Sequence, residues 1–257
     1  MAGSINQYST ARSGSYISSK LTSTIEQISD TPVNRGASGI QNSVKLTIST
    51  TASQLAASAS RADERDKTLT RSEMADKAKS VLNQIVGDSY YANKTLHDGE
   101  VPKTTDPELL SRAKQATRFV NDAAKGGQSV KNPFSGLSRE QLSNIFTDES
   151  GSYTVNERQA AWRESCEQEE VWRRKVIAEA IAEFNSTGKL TNFFGSVLDH
   201  FKELPAMEQA LYPEDYASDL QSKIRRDFNY RTHQSEGKGE EFNGIVKMQF
   251  AKGPQLT

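Results

Sequence analysis

The 257-residue sequence has one cysteine, few apolar residues and almost no net charge. A single cysteine excludes an internal disulfide framework and a cysteine-rich zinc site. No run of about 18 apolar residues is present, so the sequence predicts no membrane span. The net charge of −1 argues against a nucleic-acid-binding protein, since such proteins carry a basic excess. The hydrophobic fraction of 35% is low and indicates that part of the chain lies outside a core.

The polar residues are concentrated at the beginning of the chain. Residues 1–60 contain 21 serines and threonines and two aromatic residues, Tyr8 and Tyr16. A segment so poor in large apolar groups cannot offset a backbone ordering entropy of about 1–2 kcal/mol per residue. We therefore predict a disordered polar tail over residues 1–42. Its first 25 residues are serine-rich and lack acidic residues, as bacterial type III export signals often do, and a plain solvated tail is the simpler interpretation.

Two short segments near the chain ends alternate apolar and polar residues, which is the pattern of a half-buried strand. They are Val44–Ile48 and Val246–Phe250, and together they would form a small two-stranded ribbon. The spacing of Ile40, Val44, Ile48 and Leu55 also fits a helix. Residues 43–65 are therefore predicted as a linker or a short strand or helix, and the glycine-containing residues 235–257 as a flexible C-terminal segment.

Helix signals fill the middle of the chain. Capping boxes occur at Thr70–Glu73, Ser138–Gln141 and Thr154–Glu157, and Asp106-Pro107 opens another helix. Apolar stripes at helical spacing follow these starts. Six helices with no strand between them predict an all-α domain over residues 66–234. Orthogonal packing is favoured because two of the connections are longer than is usual in an up-down bundle.

The longest predicted helix runs from Thr154 to about Phe184. Its apolar residues are predicted to face inward: Trp162, Cys166, Trp172, Val176, Ile177, Ala180 and Phe184.

Candidate binding residues are few because the chain has three histidines. His200 lies in an aromatic helix beside Asp199 and Glu203, so a histidine–carboxylate pair and a structural histidine are both open. Tyr230, Arg231 and His233 form a polar and aromatic cluster at the end of the last predicted helix. We predict these four residues, His200, Tyr230, Arg231 and His233, as the binding candidates. No phosphate loop, nucleophile elbow or dinucleotide-binding glycine pattern is present, so no catalytic residue and no cofactor are predicted.

The segment from Asp148 to Glu157 resembles a degraded EF-hand loop. With Gly151 at the sixth loop position, Asp148, Ser150 and Glu157 occupy the third, fifth and twelfth positions, which supply calcium ligands. The first position falls on Phe146, which has no side-chain oxygen. The simpler interpretation is a turn at Gly151 followed by a helix cap, and calcium binding is the second interpretation.

Three segments resemble recurring segments of an uncharacterised family of proteobacterial proteins. They are DESGSYTVNERQAA at residues 148–161, TGKLTNFF at 187–194 and DFNYRTHQ at 227–234. The resemblance implies a bacterial source and a unit built around the helical body, and it brings no known activity, ligand or site. Separately, residues 44–55 are similar to a short stretch of flagellar anti-sigma proteins.

The polar tail and the absence of a catalytic set favour a non-enzymatic protein-interaction or regulatory protein of the bacterial cytoplasm. We expect its partner to be another protein, with no nucleic acid and no membrane span. Export by a type III-like system, or a link to secretion or motility, is an additional expectation. A small-molecule-binding or enzymatic helical domain is the alternative, and an EF-hand-like calcium binder is a weaker one. The sequence leaves the oligomeric state open.

Overall fold

The structure, a computed structural model, describes residues 49–237, and the regular secondary structure of this part of the chain is helical apart from one short ribbon. The predicted all-α class is therefore confirmed. The predicted polar tail, the ribbon of Val44–Ile48 with Val246–Phe250 and most of the predicted C-terminal segment lie outside the described residues. Within residues 49–237, no helix combines the length and the apolar character needed to cross a membrane.

The helices are α1 Thr50–Thr68, α2 Arg71–Ile85, α3 Asp88–Ala92, α4 Lys94–Gly99, α5 Pro107–Ala124, α6 Arg139–Phe146, α7 Val155–Thr187, α8 Thr191–Glu203, α9 Ala206–Gln209 and α10 Tyr216–Arg226. Strands β1 Phe228–Asn229 and β2 Gln234–Ser235 pair in antiparallel register. The longest connection between helices is the stretch of residues 125–138 between α5 and α6, and the other connections are eight residues or fewer.

The predicted helix starts are confirmed at atomic detail. The Thr70 hydroxyl accepts from the Glu73 amide, and the Glu73 carboxylate accepts from the Thr70 amide at 2.8 Å, so the α2 capping box is complete. Ser138 and Gln141 make the same box at α6. These local bonds satisfy amides that have no partner inside the helix, which is why the sequence pattern predicts the start so well.

Helix α1 extends the helical body toward the N-terminus. Residues 43–65 are predicted as a linker or a short strand or helix, and in the structure Ser49 caps a helix that runs to Thr68. The buried positions of α1 are Ser58 and Ala62. Because these side chains are small, the buried face carries no large apolar stripe that a periodicity argument would detect. The helix that the sequence left as one of three alternatives is therefore the form that residues 50–65 take.

The described residues fall into two compact units, residues 49–168 and 169–237, and α7 begins in the first and ends in the second. The core of the first unit is formed by residues from α2, α3, α5, α6 and α7 and the loops between them: Val81, Ile85, Val86, Tyr90, Ala116, Val120, Phe134, Leu142, Ile145, Phe146, Tyr153, Ala160 and Ala161.

In the second unit, α8 packs on α10. Buried side chains of this unit include Leu198, Phe201, Leu204, Met207 and Leu220. The first turn of α8 has no cap of its own, and the Glu183 carboxylate of α7 accepts from the amides of Asn192 at 2.8 Å and Phe193 at 2.9 Å. Glu183 therefore fixes the corner between α7 and α8.

Candidate functional site

The exposed large apolar side chains of the described residues fall into two groups. Tyr91, Leu96 and Val101 lie on α3, α4 and the following loop of the first unit. The other four lie in the second unit and are 38–57% exposed: Ile177, Ile181, Phe184 and Tyr230. The second group is the better candidate for an interaction surface. Three of its members lie on one face of α7, and the ring of the fourth, Tyr230, contacts the last of them.

Ile177, Ile181 and Phe184 follow the spacing i, i+4, i+7 on α7 and so line one face of that helix. The ring of Tyr230 continues this face, with its centroid 6.3 Å from that of Phe184. We call these four residues the α7 stripe. Contiguous exposed apolar surface of this kind marks interaction sites on soluble proteins.

The prediction that Ile177 and Phe184 face inward is wrong. Val176 is 4% exposed, whereas Ile177 is 47% exposed. Neighbouring residues on a helix point about 100° apart, so the two cannot pack against the same surface. The sequence offers several apolar residues in this part of α7, and only the tertiary contacts of the second unit select Val176 as the buried one.

Tyr230 is held by a hairpin that follows α10, which we define as residues 227–237. The Tyr230 amide donates to the Gly188 carbonyl at 2.8 Å. The Arg231 guanidinium donates through Nη2 to the carbonyls of Phe184 at 3.1 Å and Asn185 at 2.5 Å. These carbonyls belong to the last turn of α7, where intrahelical donors run out and a cation is favoured by the helix dipole. Arg231 is therefore a C-terminal cap for α7, and its role is to position the hairpin.

A three-residue ion cluster fixes both ends of the hairpin. Lys189 Nζ lies 2.6 Å from an Asp227 oxygen and 2.7 Å from a Glu236 oxygen. The hydrogen bond from Lys189 lowers the pKa of both carboxyls, with further contributions from Thr191 to Asp227 and from Asn229 to Glu236. The same contacts raise the pKa of Lys189. The cluster is therefore fully charged at neutral pH.

Two of the three segments for which the sequence predicts a proteobacterial resemblance meet at this place. Residues 187–194 form the corner between α7 and α8, and residues 227–234 form most of the hairpin that binds it. The contact explains why glycine, lysine and threonine occur in the first segment. Gly188, Lys189 and Thr191 each contact a residue of the hairpin.

Replacing Gly188 with alanine is expected to destabilise the second unit by about 1–2 kcal/mol. Gly188 has φ 77°, and a Cβ there would lie 2.7 Å from Asn229 Oδ1 and 2.9 Å from Arg231 Cγ. A left-handed backbone costs an L-residue about 1–2 kcal/mol before any steric contact is counted. Thermal and urea unfolding measure the change.

Gly195→Ala is the matched control for Gly188→Ala. Gly195 lies within α8, and a Cβ there meets nothing within 4 Å. Alanine is the better helix former by about 0.5–1 kcal/mol, so this variant is expected to be more stable than the wild type. Equal effects of the two substitutions would contradict the assigned role of Gly188.

The four predicted binding residues do not lie in one pocket. Tyr230 and Arg231 both contact the end of α7, and His233 is exposed at the turn of the same hairpin, with φ 59°. His200 instead stacks on Trp172, with ring centroids 3.7 Å apart, and its Nε2 lies 2.9 Å from a Glu169 oxygen. Trp172 and Phe184 are about 18 Å apart along α7, at about 1.5 Å per residue.

The carboxylates of the predicted calcium loop bind protein groups. Asp148 Oδ2 accepts from Arg61 at 2.5 Å and from Ser58 at 2.6 Å, and its other oxygen accepts from the Ser150 amide. Glu157 accepts from Arg112 and closes a capping box with Thr154. The capping interpretation is therefore confirmed. Within residues 49–237, no group of three histidine, cysteine, aspartate or glutamate side chains is arranged to hold a metal ion.

Sequence reasoning missed a buried polar network around the first turn of α7. The side chain at its centre is the fully buried Asn156, whose Oδ1 accepts a hydrogen bond from the Tyr90 hydroxyl at 2.8 Å. The Asn156 Nδ2 donates to the Asp98 carboxylate at 3.1 Å and to the Thr117 hydroxyl at 3.2 Å. The same Nδ2 also lies 3.1 Å from the carbonyl of His97, whose ring stacks on that of Tyr90. This network positions Asp98 and Thr117, which line an open groove of about 480 Å³ beside α5. The polar run TVNER at residues 154–158 is the only sign of this network in the sequence, and such a run is typical of an exposed segment.

Comparison with known proteins finds no match for this chain among family models, curated proteins or solved structures. The proteobacterial resemblance of the three segments stays a prediction.

Proposed function

We propose that this chain is a non-enzymatic protein-interaction protein that binds its partner through the α7 stripe. The observation that carries the proposal is the set of apolar side chains at i, i+4 and i+7 on α7, 38–57% exposed and continued by Tyr230. Large apolar and aromatic side chains of this kind contribute most of the binding energy at protein interfaces.

The surroundings of the α7 stripe suit binding better than catalysis. Arg231, the cation in contact with the stripe, uses its guanidinium on two backbone carbonyls and lies over the Phe184 ring at 5.9 Å. The hairpin fixes Tyr230 before any partner arrives, which lowers the ordering entropy that binding must overcome.

The cellular setting is part of the same proposal. The three segments that resemble proteobacterial proteins and the serine-rich residues 1–42 support a bacterial cytoplasmic protein linked to secretion or motility. Export by a type III-like system is the more specific form of this idea. Fusing residues 1–42 to a reporter and measuring its transport tests it.

Site-specific photo-crosslinking in the source cell tests the interaction surface. A photo-reactive phenylalanine analogue at Ile181 is expected to give a discrete crosslinked partner, because this side chain is 57% exposed at the centre of the stripe. The matched control carries the analogue at Ala182, which is exposed on the neighbouring face. The crosslink at position 181 should disappear when Ile177→Asp is added. The same band from both positions, or no band from either, would argue against the proposal.

A further inference from the structure

We infer that the groove beside α5 binds a free α-amino acid with a large apolar side chain. The groove lies in the first unit between α5 and residues 98–102, which form the end of α4 and the start of the loop that follows it. Its volume of about 480 Å³ is within the range of small-molecule sites, about 300–1,000 Å³. The inference is separate from the α7 stripe and goes beyond the proposed function.

The α5 wall of the groove carries two cations that have no partner among residues 49–237. Lys114 and Arg118 are exposed, lie one turn apart, and make no hydrogen bond or ion pair with any residue of that range. Asp122, one turn after Arg118, uses its carboxylate on two backbone amides of the connection between α5 and α6, at 2.9 and 3.2 Å. The α5 wall can therefore bind a carboxylate, because cations of this kind donate charge-assisted hydrogen bonds to it.

The opposite wall carries two carboxylates, those of Asp98 and Glu100. The Asp98 Oδ1 accepts from three side chains, those of Lys94, Asn121 and Asn156. The Glu100 Oε2 accepts from the first amide of α7 at 2.9 Å. The second oxygen of each carboxylate accepts no hydrogen bond from residues 49–237, so both are available to an ammonium group.

The opposite charges of the two walls select a zwitterion. Of the residues that line the groove, two are cationic and two are acidic, and they lie on different walls. A simple anion would bind beside the carboxylates of Asp98 and Glu100, and a simple cation would bind beside Lys114 and Arg118. Each would face a like charge, which opposes binding. A molecule with both charges meets the opposite charge on each wall.

A buried amide fixes one polar group on each wall. Asn156 is fully buried and donates to Asp98 Oδ1 at 3.1 Å and to Thr117 Oγ1 at 3.2 Å. The Thr117 hydroxyl accepts this bond and donates to no residue of 49–237, so its hydrogen is available to a ligand carboxylate. Convergent polar groups that a buried network holds in place are typical of binding sites.

The distance between these two groups fits the two charges of a single α-carbon. Asp98 Oδ1 and Thr117 Oγ1 share the Asn156 nitrogen and are therefore at most about 6.3 Å apart. The ammonium nitrogen and a carboxylate oxygen of an α-amino acid are about 3 Å apart, so bonds of about 2.8 Å reach both walls. The terminal charges of an extended dipeptide are about 7 Å apart and fit this distance less well.

Apolar residues line the groove beside its charged part. Val101 is 67% exposed, and Leu110 precedes Lys114 by one turn of α5, about 6 Å along the helix. A leucine side chain on the bound α-carbon is long enough to cover both. The expected ligand is therefore an amino acid with an apolar side chain of this size, because a smaller one would leave Val101 and Leu110 exposed to water.

Isothermal titration calorimetry of the full chain with L-leucine tests the inference. N-acetylleucine lacks the ammonium group and leucinamide lacks the carboxylate, and both keep the side chain. Each is expected to bind at least tenfold more weakly than leucine. Glycine, which lacks the side chain, and the dipeptide Leu-Leu, whose charges are further apart, are also expected to bind at least tenfold more weakly.

Variants of the two walls locate the binding site. Lys114→Met/Arg118→Met is expected to weaken leucine at least tenfold and to leave leucinamide unchanged, since leucinamide has no carboxylate for these cations. Glu100→Gln is expected to weaken leucine and to leave N-acetylleucine unchanged. The control, Lys67→Met/Lys125→Met, removes two exposed cations of the first unit outside the groove and should leave leucine binding unchanged. Circular dichroism verifies that each variant keeps its helix content.

Four outcomes would overturn the inference. The first is the absence of leucine binding up to 10 mM, and the second is equal binding of leucine, N-acetylleucine and leucinamide. The third is a dipeptide that binds as tightly as leucine, which would assign the groove to peptides. The fourth is unchanged leucine binding by Lys114→Met/Arg118→Met, which would place the amino acid elsewhere. None of them bears on the α7 stripe, which the crosslinking experiment tests separately.

Discussion

Replacing Arg112 with methionine is expected to lower the free energy of unfolding by about 3–5 kcal/mol. Arg112 Nε donates to Glu157 Oε1 at 2.8 Å, and the Glu157 side chain is 0% exposed. The same guanidinium donates to Gln54 at 2.6 Å and lies over the rings of Phe134 and Tyr153. Methionine fills much of the volume and offers no donor, so a carboxylate is left buried without its cation.

Unfolding in urea, followed by circular dichroism, measures the loss in Arg112→Met. Arg118→Met on the same helix is the matched control, because Arg118 is exposed and its replacement should change stability by less than about 0.5 kcal/mol. Adding Glu157→Gln to Arg112→Met removes the unpaired charge and is expected to recover part of the loss. If Arg112→Met stays within 1 kcal/mol of the wild type, the pair does not stabilise the fold as described.

Replacing Asp148 with asparagine is expected to cost about 2 kcal/mol at pH 7 and almost nothing at pH 2. Burial raises the pKa of the Asp148 carboxyl, but hydrogen bonds from Arg61, Ser58 and Ser150 outweigh burial and lower the pKa to about 2. The difference from the ordinary value of 3.8 corresponds to about 2 kcal/mol. Because the folded-state pKa is depressed, this stability is fully present above pH 4 and is lost as the pH falls toward 2.

The free energy of unfolding measured between pH 7 and pH 2 tests the role of Asp148. The wild type should lose stability more steeply below pH 4 than Asp148→Asn, and the two curves should converge near pH 2. Asp76→Asn is the control, since the Asp76 side chain is 74% exposed and pairs only at the surface. Parallel curves for the wild type and Asp148→Asn would show that other carboxylates cause the acid sensitivity.

The features that the sequence predicts correctly are local in the chain. The capping boxes at Thr70, Ser138 and Thr154 join residues three apart, so the pattern contains both partners of each hydrogen bond. The turn at Gly151 before the α7 cap is local in the same way. The structure shows what the loop carboxylates Asp148 and Glu157 bind, because their arginine partners come from distant helices.

The features that the sequence misses depend on contacts between distant residues. Arg231 caps the end of α7 from 46 residues further along the chain, and no local pattern indicates that it does so. The pairing of His200 with Glu169 on α7 is missed for the same reason, since the neighbouring Asp199 and Glu203 are the obvious candidates from sequence.

By themselves, the capping boxes and apolar stripes of the sequence determined the helical class of the described residues, and its single cysteine excludes an internal disulfide framework. Tertiary structure alone decided which face of α7 is buried. Val176 and Ile177 have nearly the same chemistry, and only the packing of the second unit leaves Ile177, Ile181 and Phe184 exposed. Hydrophobicity determines that a side chain can be buried, whereas burial itself requires a neighbouring surface, and that surface is set by the fold.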